Sequence, residues 1–547
     1  MLGNFTNIIN FNCRNNLLTT LDASMINTES NYIFDCSSNI NLLQAFIKNS
    51  SNSGYFLFSG CSSLEYVCCE TNSVSYYQDI MVTSFNLFNV VVNSYCSFTP
   101  GGNYNTITGT TKFDANNNGC DTNDLPQKNL RVNINDGTTT GASFTNATGN
   151  YKFYTQAGSF NITPSIENPT WFNFSPISAT IPFANNNNNV ATQDFCIVSN
   201  GIHNDLEIVI APITPARPGF DATYLATYKN KGNQTVSGNL NFNYDDSILD
   251  FVYSTFATTT QSLGILNYNF TNLLPFESRS FHISLNVNSP TETPAVNIGD
   301  ILNFSATINT TLLDEIPSDN LFTYNQTVVG SFDPNNIICM EGESVAASEI
   351  GNYLHYVINF ENTGTFQAEN IVVKTTIDPN QFDINSLQLL SASNQVDARI
   401  TGNVVEFIFN QIMLDTGGHG NVLLKVKSKN NLQQGDIVSK RADIFFDYNA
   451  PIDTGIANTT FQSLNNSSFE KDNSISIYPN PANSIVNIKA KSTLKSIELY
   501  DVQGRILQTK LVNKTNEIID ISTHSKGIYF LKITSDDGVK VEQIVKE

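Results

Sequence analysis

The sequence predicts a mainly β chain of several modules, in which a short repeat solenoid is followed by four β-sandwich modules. Aromatic residues make up 11% of the 547 residues, and Thr, Val and Ile, which favour strands, are frequent. Apolar residues follow a period of two in short runs, for example at 404–409 and 422–426. Clusters of Gly, Pro, Asn and Asp separate these runs, as turns separate strands. A spacing of 23 residues recurs near the start, which is typical of repeat proteins.

The charge balance restricts the partners of the chain. Only 14% of the residues are charged, and 28 Lys and Arg stand against 49 Asp and Glu, so the formal net charge is −21. Nucleic acids and anionic membranes are bound by basic surfaces, so neither is expected as a partner. The balance fits a soluble surface protein or one that holds divalent cations. No apolar run approaches about eighteen residues, so no membrane-spanning helix is predicted.

Residues 1–98 carry a repeated spacing of apolar residues, cysteine and asparagine. The first copy consists of Ile8, Phe11, Cys13, Asn16, Leu18 and Leu21; the second keeps Phe34, Cys36 and Asn39; the third has Leu64, Val67, Cys69, Asn72 and Val74. The pattern resembles a leucine-rich repeat, which has a period of about 20–29 residues. The resemblance implies apolar and Cys side chains inside the solenoid and Asn side chains bonded to backbone at the turns. We predict a repeat remnant with a C-terminal cap, and an insertion around residues 48–54 before the third copy.

A turn-rich break at residues 99–102 opens the second module, residues 99–200. Its strand-like runs include 106–109, 132–134 and 147–153. Together with the Asp- and Asn-rich loop between 113 and 124, these runs resemble the transthyretin-like sandwiches found as B-type repeats in bacterial adhesins. Such modules usually serve as stalks.

The loop of this module carries the strongest candidate for a metal site. Oxygen-bearing residues lie at alternate positions and are followed by Gly119, which is what a large, hard cation needs from one loop. The candidate calcium ligands are Asp114, Asn116, Asn118, Asp121 and Asp124. Position twelve of an EF-hand loop is Leu125 here, so the usual bidentate carboxylate is absent. The alternative is an Asx-rich turn in which the same side chains bond their own backbone.

Nine cysteines are present, six of them in the first hundred residues. No CxxC pair occurs and no His is nearby, so zinc is not expected. Cys13, Cys36 and Cys69 are predicted to be buried, reduced repeat cysteines. Cys120 and Cys196 are a candidate disulfide, although the sequence leaves that pairing open, and the odd total leaves at least one cysteine free or intermolecular.

Residues 203–327 and 328–462 read as two copies of one immunoglobulin-like sandwich. Residues 228–232 align with 360–364, and 299–301 with 435–437, at nearly equal offsets of 132 and 136. The second copy resembles a domain that commonly precedes type IX sorting domains and has no assigned chemistry. Residues 463–473 are polar and without periodicity, so we predict a linker there.

Residues 474–547 contain short alternating runs bounded by turn residues. Pro479-Asn480-Pro481 cannot continue a ladder and predicts a sharp turn between the first two strands. The order of the runs resembles the type A C-terminal sorting domain of the type IX secretion system. The residues that match the family pattern are Pro479, Asn480, Pro481, Gly504, Arg505 and Gly527. The resemblance implies a cargo of the type IX translocon, an extracellular or outer-membrane location, and cleavage by the sorting peptidase within or near the linker.

We therefore expect a secreted or cell-surface binding protein, with an unknown surface protein or glycan bound by the repeats and the sandwiches as a stalk. No GxSxG, HExxH, Walker A or GxGxxG motif occurs, so no catalytic residue and no enzyme activity is predicted. The first residues lack the basic and apolar regions of a signal peptide, so we expect the natural start to lie upstream. The alternative is a secreted hydrolase whose catalytic domain precedes that start.

Overall fold

The structure is a computed structural model that describes residues 9–24, 32–49, 55–330, 332–462, 474–501, 506–536 and 538–547. The chain forms two compact units, Met1–Gln462 and Ser463–Glu547. The predicted linker, residues 463–473, lies outside the described residues. Within the described part, no helix is long and apolar enough to cross a membrane.

The first region is a solenoid of short parallel strands. Its elements are β1 (Asn10–Asn12), β2 (Thr20–Asp22), β3 (Ile33–Asp35), β4 (Gln44–Phe46), β5 (Tyr55–Leu57), β6 (Tyr66–Cys68), a 3₁₀ turn (Thr71–Ser73), α1 (Val74–Thr83) and β7 (Val91–Asn93). Each coil contributes one strand to the sheet β1-β3-β5 and one to the sheet β2-β4-β6-β7. Phe34 and Phe56 are fully or almost fully buried between the coils. Asn39 Nδ2 donates to the carbonyls of Cys13 and Cys36, at 2.9 and 2.7 Å, so the turn asparagine bonds backbone as the repeat pattern implied.

The predicted register of the third repeat is wrong. The structure places Phe56, not Val67, beside Phe34. Val67 instead continues the second sheet, next to Ala45. Val67 of β6 lies two positions before Cys69, as Phe34 of β3 lies two positions before Cys36, so the pattern matched the neighbouring strand of the same coil. The step from Phe34 to Phe56 is as regular as the one before it, so the insertion predicted around residues 48–54 is not needed; residues 50–54 themselves lie outside the described part.

The second module is a two-sheet sandwich. Its elements are β8 (Asn105–Asp114), β9 (Leu125–Pro126), β10 (Arg131–Asn135), β11 (Thr140–Phe144), β12 (Asn150–Thr155), β13 (Gly158–Ser165), a 3₁₀ turn (Pro169–Trp171), β14 (Phe172–Ser175), β15 (Ala179–Phe183), β16 (Val190–Thr192) and β17 (Phe195–Ser199). One sheet has the order β12-β8-β17-β14, with β9 and β16 also paired to β8, and the other contains β15-β13-β10-β11. Alternating residues of β8 and β10, such as Ile107 and Val132, are buried between them.

The third module has the same two-sheet construction. Its elements are β18 (Leu206–Pro212), β19 (Asp221–Asn230), β20 (Val236–Asn243), β21 (Leu249–Ser254), β22 (Thr260–Ser262), β23 (Ile265–Leu273), β24 (Ser278–Val287), β25 (Ile301–Thr310), a 3₁₀ turn (Pro317–Asp319) and β26 (Leu321–Thr327). The sheets β18-β19-β24-β21 and β22-β23-β20-β25-β26 enclose an aromatic core that includes Tyr224, Phe242 and Tyr268.

The fourth module repeats this arrangement with three sheets. Its elements are β27 (Asn336–Cys339), β28 (Ser344–Ala346), a 3₁₀ turn (Ala347–Glu349), β29 (Tyr353–Glu361), β30 (Ile371–Thr376), a 3₁₀ turn (Ile384–Ser386), β31 (Gln388–Ala392), β32 (Asp397–Thr401), β33 (Val404–Phe409), β34 (His419–Lys427), β35 (Ile437–Lys440), β36 (Ala442–Phe446), β37 (Ile452–Asp453) and β38 (Ala457–Gln462). The sheet β27-β29-β34-β31 has the order of β18-β19-β24-β21 in the third module.

The turns that follow β19 and β29 are built alike. Asn230 Nδ2 donates to the carbonyls of Gln234 and Leu273, and its Oδ1 accepts from Gly232 N at 3.0 Å. Asn362 makes the equivalent three bonds in the fourth module, including one from Gly364 N at 3.0 Å. These are the aligned segments on which the prediction of two copies rests.

The second and fourth modules share a sheet, which the sequence did not predict. β11 pairs antiparallel with β32, with Ala142 opposite Ile400. The result is a nine-stranded sheet of order β15-β13-β10-β11-β32-β33-β30-β36-β37. The predicted boundaries of these two modules are thus bridged by backbone hydrogen bonds. Strand alternation cannot show which distant edge strands pair, because pairing depends on tertiary packing.

The C-terminal unit contains β39 (Ser476–Tyr478), β40 (Ile485–Tyr500), β41 (Ile506–Asp520), β42 (Gly527–Ser535) and β43 (Gly538–Lys546). All five strands belong to one hydrogen-bonded sheet, in which the long β40 pairs with β39, β41 and β42. The antiparallel pairing of β39 with β40 requires the predicted turn at Pro479-Asn480-Pro481. Val486, Leu499 and Leu531 form part of its core.

Candidate functional site

The structure places the candidate calcium ligands in two consecutive turns. The Asp114 carboxylate is buried and accepts hydrogen bonds from Asn118 N at 3.3 Å and Gly119 N at 2.7 Å. Asn118 N also donates to Asn116 Oδ1 at 3.1 Å. Asp124 Oδ2 accepts from Asp121 N at 2.6 Å. These bonds are those of the Asx-turn alternative, and no group of three or more His, Cys, Asp or Glu among the described residues is arranged to hold a metal ion.

Calcium at this loop stays a prediction, and a thermal melt of the full chain tests it. A ligand that binds only the folded state raises the free energy of unfolding by about 2.7 kcal/mol when its concentration is roughly 100 times its dissociation constant. We therefore expect a higher melting midpoint in calcium than in chelator, and we expect Asp114→Asn to remove the difference. Equal midpoints for the wild-type chain in calcium and in chelator would leave the loop as a turn without a cation.

Two disulfides are present. Cys120 joins Cys196 with a Cα–Cα distance of 5.6 Å, which closes the Asp-rich loop onto β17 beside β8. Cys68 joins Cys96 with a Cα–Cα distance of 6.0 Å and fastens the chain after β7 to the last coil; the sequence did not single out this pair. Cys13, Cys36 and Cys69 are free thiols, and of these Cys36 and Cys69 are buried while Cys13 is half-buried.

In the sorting motif, Asn480 has the clearest structural role. Its Nδ2 donates to the Gln543 carbonyl at 2.6 Å, and its Oδ1 accepts from Val545 N at 3.0 Å. The side chain therefore fastens the turn between β39 and β40 to the last strand. Pro479 and Pro481 flank it, and Gly527 begins β42. Gly504 and Arg505 lie outside the described residues.

A cleft of about 1530 Å³ lies where the solenoid, the second module and the fourth module meet. Its walls come from the segment 95–100 after the solenoid, from β12 and the turn after it, and from the shared β11–β32 pair. Because residues from three modules form these walls, the cleft depends on their packing. No sequence signal marked it, since its residues are scattered over some 350 positions.

One wall of the cleft is held by a buried chain of hydrogen bonds. Tyr95 donates its hydroxyl to Glu406 Oε1 at 2.7 Å, and Arg399 Nε donates to Glu406 Oε2 at 2.7 Å. Burial alone would raise the pKa of Glu406, but Arg399 and the Tyr95 hydroxyl hold it below its ordinary value. The ionised carboxylate therefore fixes the Arg399 guanidinium from behind, and Arg399 itself lines the cleft.

Another part of the lining carries Lys152, Tyr154 and Thr155, which belong to β12. The Tyr154 ring meets Tyr104 edge-on at 5.1 Å, and Lys152 Nζ lies 5.9 Å from the Tyr154 ring centroid. Desolvation raises the pKa of Asp397, which faces this group, while Lys152 opposes the shift. Thr155 is only 8% exposed, and its Oγ1 has no hydrogen-bond partner among the described residues.

A second cluster of charges is buried where the second, third and fourth modules meet. Its members are Glu167, Asp205, Glu207, Lys231, Asp319, Glu341, His355 and Lys425. Lys425 is fully buried; its Nζ lies 3.0 Å from Glu167 Oε2 and also binds Glu207. Lys231 Nζ lies 3.3 Å from Asp205 Oδ2 and also binds Asp319. Ion pairs between modules thus replace the solvent that each charge loses on burial.

His355 completes this cluster. Its Nδ1 lies 2.6 Å from Glu341 Oε1, and its Nε2 lies 3.9 Å from Glu207 Oε1. Burial alone would lower the pKa of His355, but the two carboxylates raise it to about 9. The imidazole is therefore protonated at neutral pH and binds two modules together as a cation.

Comparisons with known proteins identify two regions of the chain. Residues 476–547 match the secretion system C-terminal sorting domain. This match supports a type IX secretion cargo, and the protein is extracellular or located at the cell surface. Residues 333–460 match a domain of unknown function (DUF7619). No curated protein matches the chain.

Several solved structures resemble parts of the chain. The CARDB domain of a Pyrococcus furiosus protein in complex with di-metal ions is 17% identical, over 24% of this chain and 99% of that one, with a TM-score of 0.18. A variant of BcpA, the major pilin subunit of Bacillus cereus, is 10% identical over 66% of this chain and 97% of that one, with a TM-score of 0.17. Collagen adhesin from S. aureus is 14% identical over 48% of this chain and 93% of that one, with a TM-score of 0.18. At such TM-scores these resemblances carry no argument about activity.

Proposed function

We propose that this protein is a non-enzymatic binding protein of the cell exterior, delivered by the type IX translocon. The sorting domain, which forms a compact unit of its own, carries the proposal. In this proposal the sorting peptidase cuts within or near residues 463–473, and the released part, residues 1–462, meets the ligand, in many such cargoes after attachment to surface lipopolysaccharide.

The solenoid is the proposed recognition part, in the manner of leucine-rich repeats, whose strand face offers an extended surface. Of its two sheets, β2-β4-β6-β7 presents Phe46 and Tyr66 to Tyr448 of the fourth module, with ring centroids 6.0 and 4.8 Å away. The other sheet leaves Ile33 and Tyr55 exposed. The sheet β1-β3-β5 is therefore the face left for a protein or glycan ligand.

Deleting residues 474–547 tests the export route. In a bacterium with an active type IX system, the full chain behind a Sec signal peptide is expected at the cell surface or in the medium. The deletion variant is expected to stay in the periplasm, because the translocon has no signal to bind. Immunoblots of the periplasm, outer membrane and medium measure the distribution. Delivery of the deletion variant to the surface would contradict the proposal.

A point variant refines the same experiment. We expect Asn480→Ala to reduce export, because it releases the β39–β40 turn from β43. Asn483→Ala is the matched control, since Asn483 is exposed and lies in the same connection.

A further inference from the structure

The chemistry of the cleft points to a class of ligand. Its lining is rich in hydroxyl and amide side chains, among them Thr110, Thr140, Ser143, Gln395, Asn410 and Gln411. Four acidic and two basic side chains accompany them, so an anionic ligand would meet more like charges than opposite ones. Its volume exceeds the roughly 300–1,000 Å³ of pockets for drug-sized molecules, so a chain of several units fits.

The residues around Tyr154 form a built subsite, which we call the Tyr154 subsite: Lys152, Tyr154, Thr155, Asp397 and Arg399. Arg399 is held at Nε by Glu406, and its two terminal nitrogens have no hydrogen-bond partner among the described residues. These terminal nitrogens are hydrogen-bond donors on a guanidinium that Glu406 holds in place, whereas the Asp397 carboxylate supplies hydrogen-bond acceptors. The Oγ1 of Thr155 can donate and accept, and within the described part of the chain it does neither. Because this Oγ1 is buried from solvent, the open hydrogen-bonding groups of the subsite are those of Asp397 and Arg399.

Sugar hydroxyl groups both donate and accept hydrogen bonds. They can therefore bond a carboxylate, a guanidinium and hydroxyl groups that lie side by side. A Tyr ring adds an apolar surface with a polar end, on which the apolar face of a sugar ring can pack. We propose that this cleft binds a neutral oligosaccharide, with one sugar ring on Tyr154 between Asp397 and Arg399. The proposal rests on the proposed binding function, but it places the ligand in the cleft between modules and not on the solenoid sheet.

Titration calorimetry of the full chain tests this proposal with neutral hexasaccharides as probes: cellohexaose, xylohexaose, mannohexaose, maltohexaose and chitohexaose. We expect at least one to bind. We expect Tyr154→Ala to weaken that binding about tenfold, since an aromatic contact of this kind contributes about one factor of ten. Tyr154→Phe, which keeps the ring, is expected to retain most of the affinity. Tyr55→Ala is the control on the solenoid sheet, and melting midpoints check that each variant is folded.

The outcomes separate the two proposals. Binding that Tyr154→Ala weakens and Tyr55→Ala does not would support the cleft. Binding that only Tyr55→Ala weakens would overturn the cleft proposal while the binding function of the solenoid stands. If no hexasaccharide binds but an extended peptide of alternating Thr and Val does, the cleft accepts a strand on the open edge of β12, and the sugar proposal fails. If neither binds, and immobilised surface proteins and polysaccharides do not retain the chain, both proposals fail.

Discussion

Lys425→Ala is expected to lower the free energy of unfolding of the unit Met1–Gln462 by about 3–5 kcal/mol, the usual result of removing one partner of a buried ion pair. Lys425 is fully buried and contacts Glu207 and Glu167, which come from two other modules. Burial alone would lower the pKa of Lys425, but these carboxylates raise it, so the ammonium is charged. Its loss leaves Glu207, itself buried, without its nearest cation, because His355 Nε2 lies 3.9 Å away. Urea unfolding followed by Trp171 fluorescence measures the change, because this single Trp stacks on His203 near the junction.

Two further variants make the result specific. Lys427→Ala removes an exposed lysine two residues further along β34, also near the Tyr353 ring, and is expected to change the unfolding free energy by less than about 0.5 kcal/mol. Lys425→Met combined with Glu207→Leu removes both charges, so it is expected to be more stable than Lys425→Ala. Equal losses for Lys425→Ala and Lys427→Ala would show that the buried pairs do not hold the modules together.

The buried charges and the candidate cleft involve the same modules. The same two modules that Glu167 and Lys425 connect also share the β11–β32 pair, which forms one wall of the cleft. Tyr95, from the end of the solenoid, reaches Glu406, which lies opposite Arg399 of β32 and so supports the same wall. A ligand site at such a seam requires that the modules do not move apart. None of the buried charges lines the cleft, so in the oligosaccharide proposal they act on binding only through the geometry of the cleft.

Local features were predictable from the sequence. The alternation at 404–409 and 422–426 corresponds to β33 and to the interior of β34. Pro479-Asn480-Pro481 forms the turn that its chemistry requires, because proline cannot continue a ladder. Each of these depends on residues that are neighbours in the chain.

Contacts between distant residues were not predictable. Glu167 and Lys425 are 258 positions apart, and nothing in either local sequence indicates that they meet. The contacts of Tyr95 and Arg399 with Glu406 in the wall of the cleft were also not predictable, because the cleft depends on packing between modules. The error in the third repeat has a different cause: two strands of each coil carry similar patterns, so Val67 matched the motif although it lies in the other sheet.

Among the described residues, Lys440 is a buried cation without an acidic partner in direct contact. Desolvation lowers its pKa to about 7, and the nearest opposing charge, Asp378, offsets this only in part. Its Nζ donates to the Thr376 carbonyl at 3.3 Å and lies 4.9 Å from the Phe382 ring centroid. In the unfolded chain the ordinary value of 10.5 returns. Between pH 7 and pH 10.5 the unfolded chain keeps the Lys440 proton and the folded chain does not. The free energy of unfolding therefore rises with pH by about 1.4 kcal/mol per unit.

We expect Lys440→Met to raise the unfolding free energy at pH 7 by about 4 kcal/mol, because the linear side chain keeps the packing and the cost of burying a charge disappears. The pH profile gives a sharper test. The His355 contribution to stability changes with pH in the opposite direction. Its folded pKa of about 9 exceeds the ordinary 6.5, so its contribution is complete below pH 6.5 and is lost as pH rises through 9.

In the wild-type chain the pH slopes of Lys440 and His355 oppose each other between pH 7 and 8. In Lys440→Met the fall from His355, about 1.4 kcal/mol per pH unit, remains, together with the end of a fall from Asp205, whose pKa burial raises to about 7; Lys48, with a pKa of about 8, acts mainly above that window. Urea unfolding at pH 7.0 and 8.0 measures both slopes, and a flat profile in the variant would contradict the assignment of His355 as the opposing group.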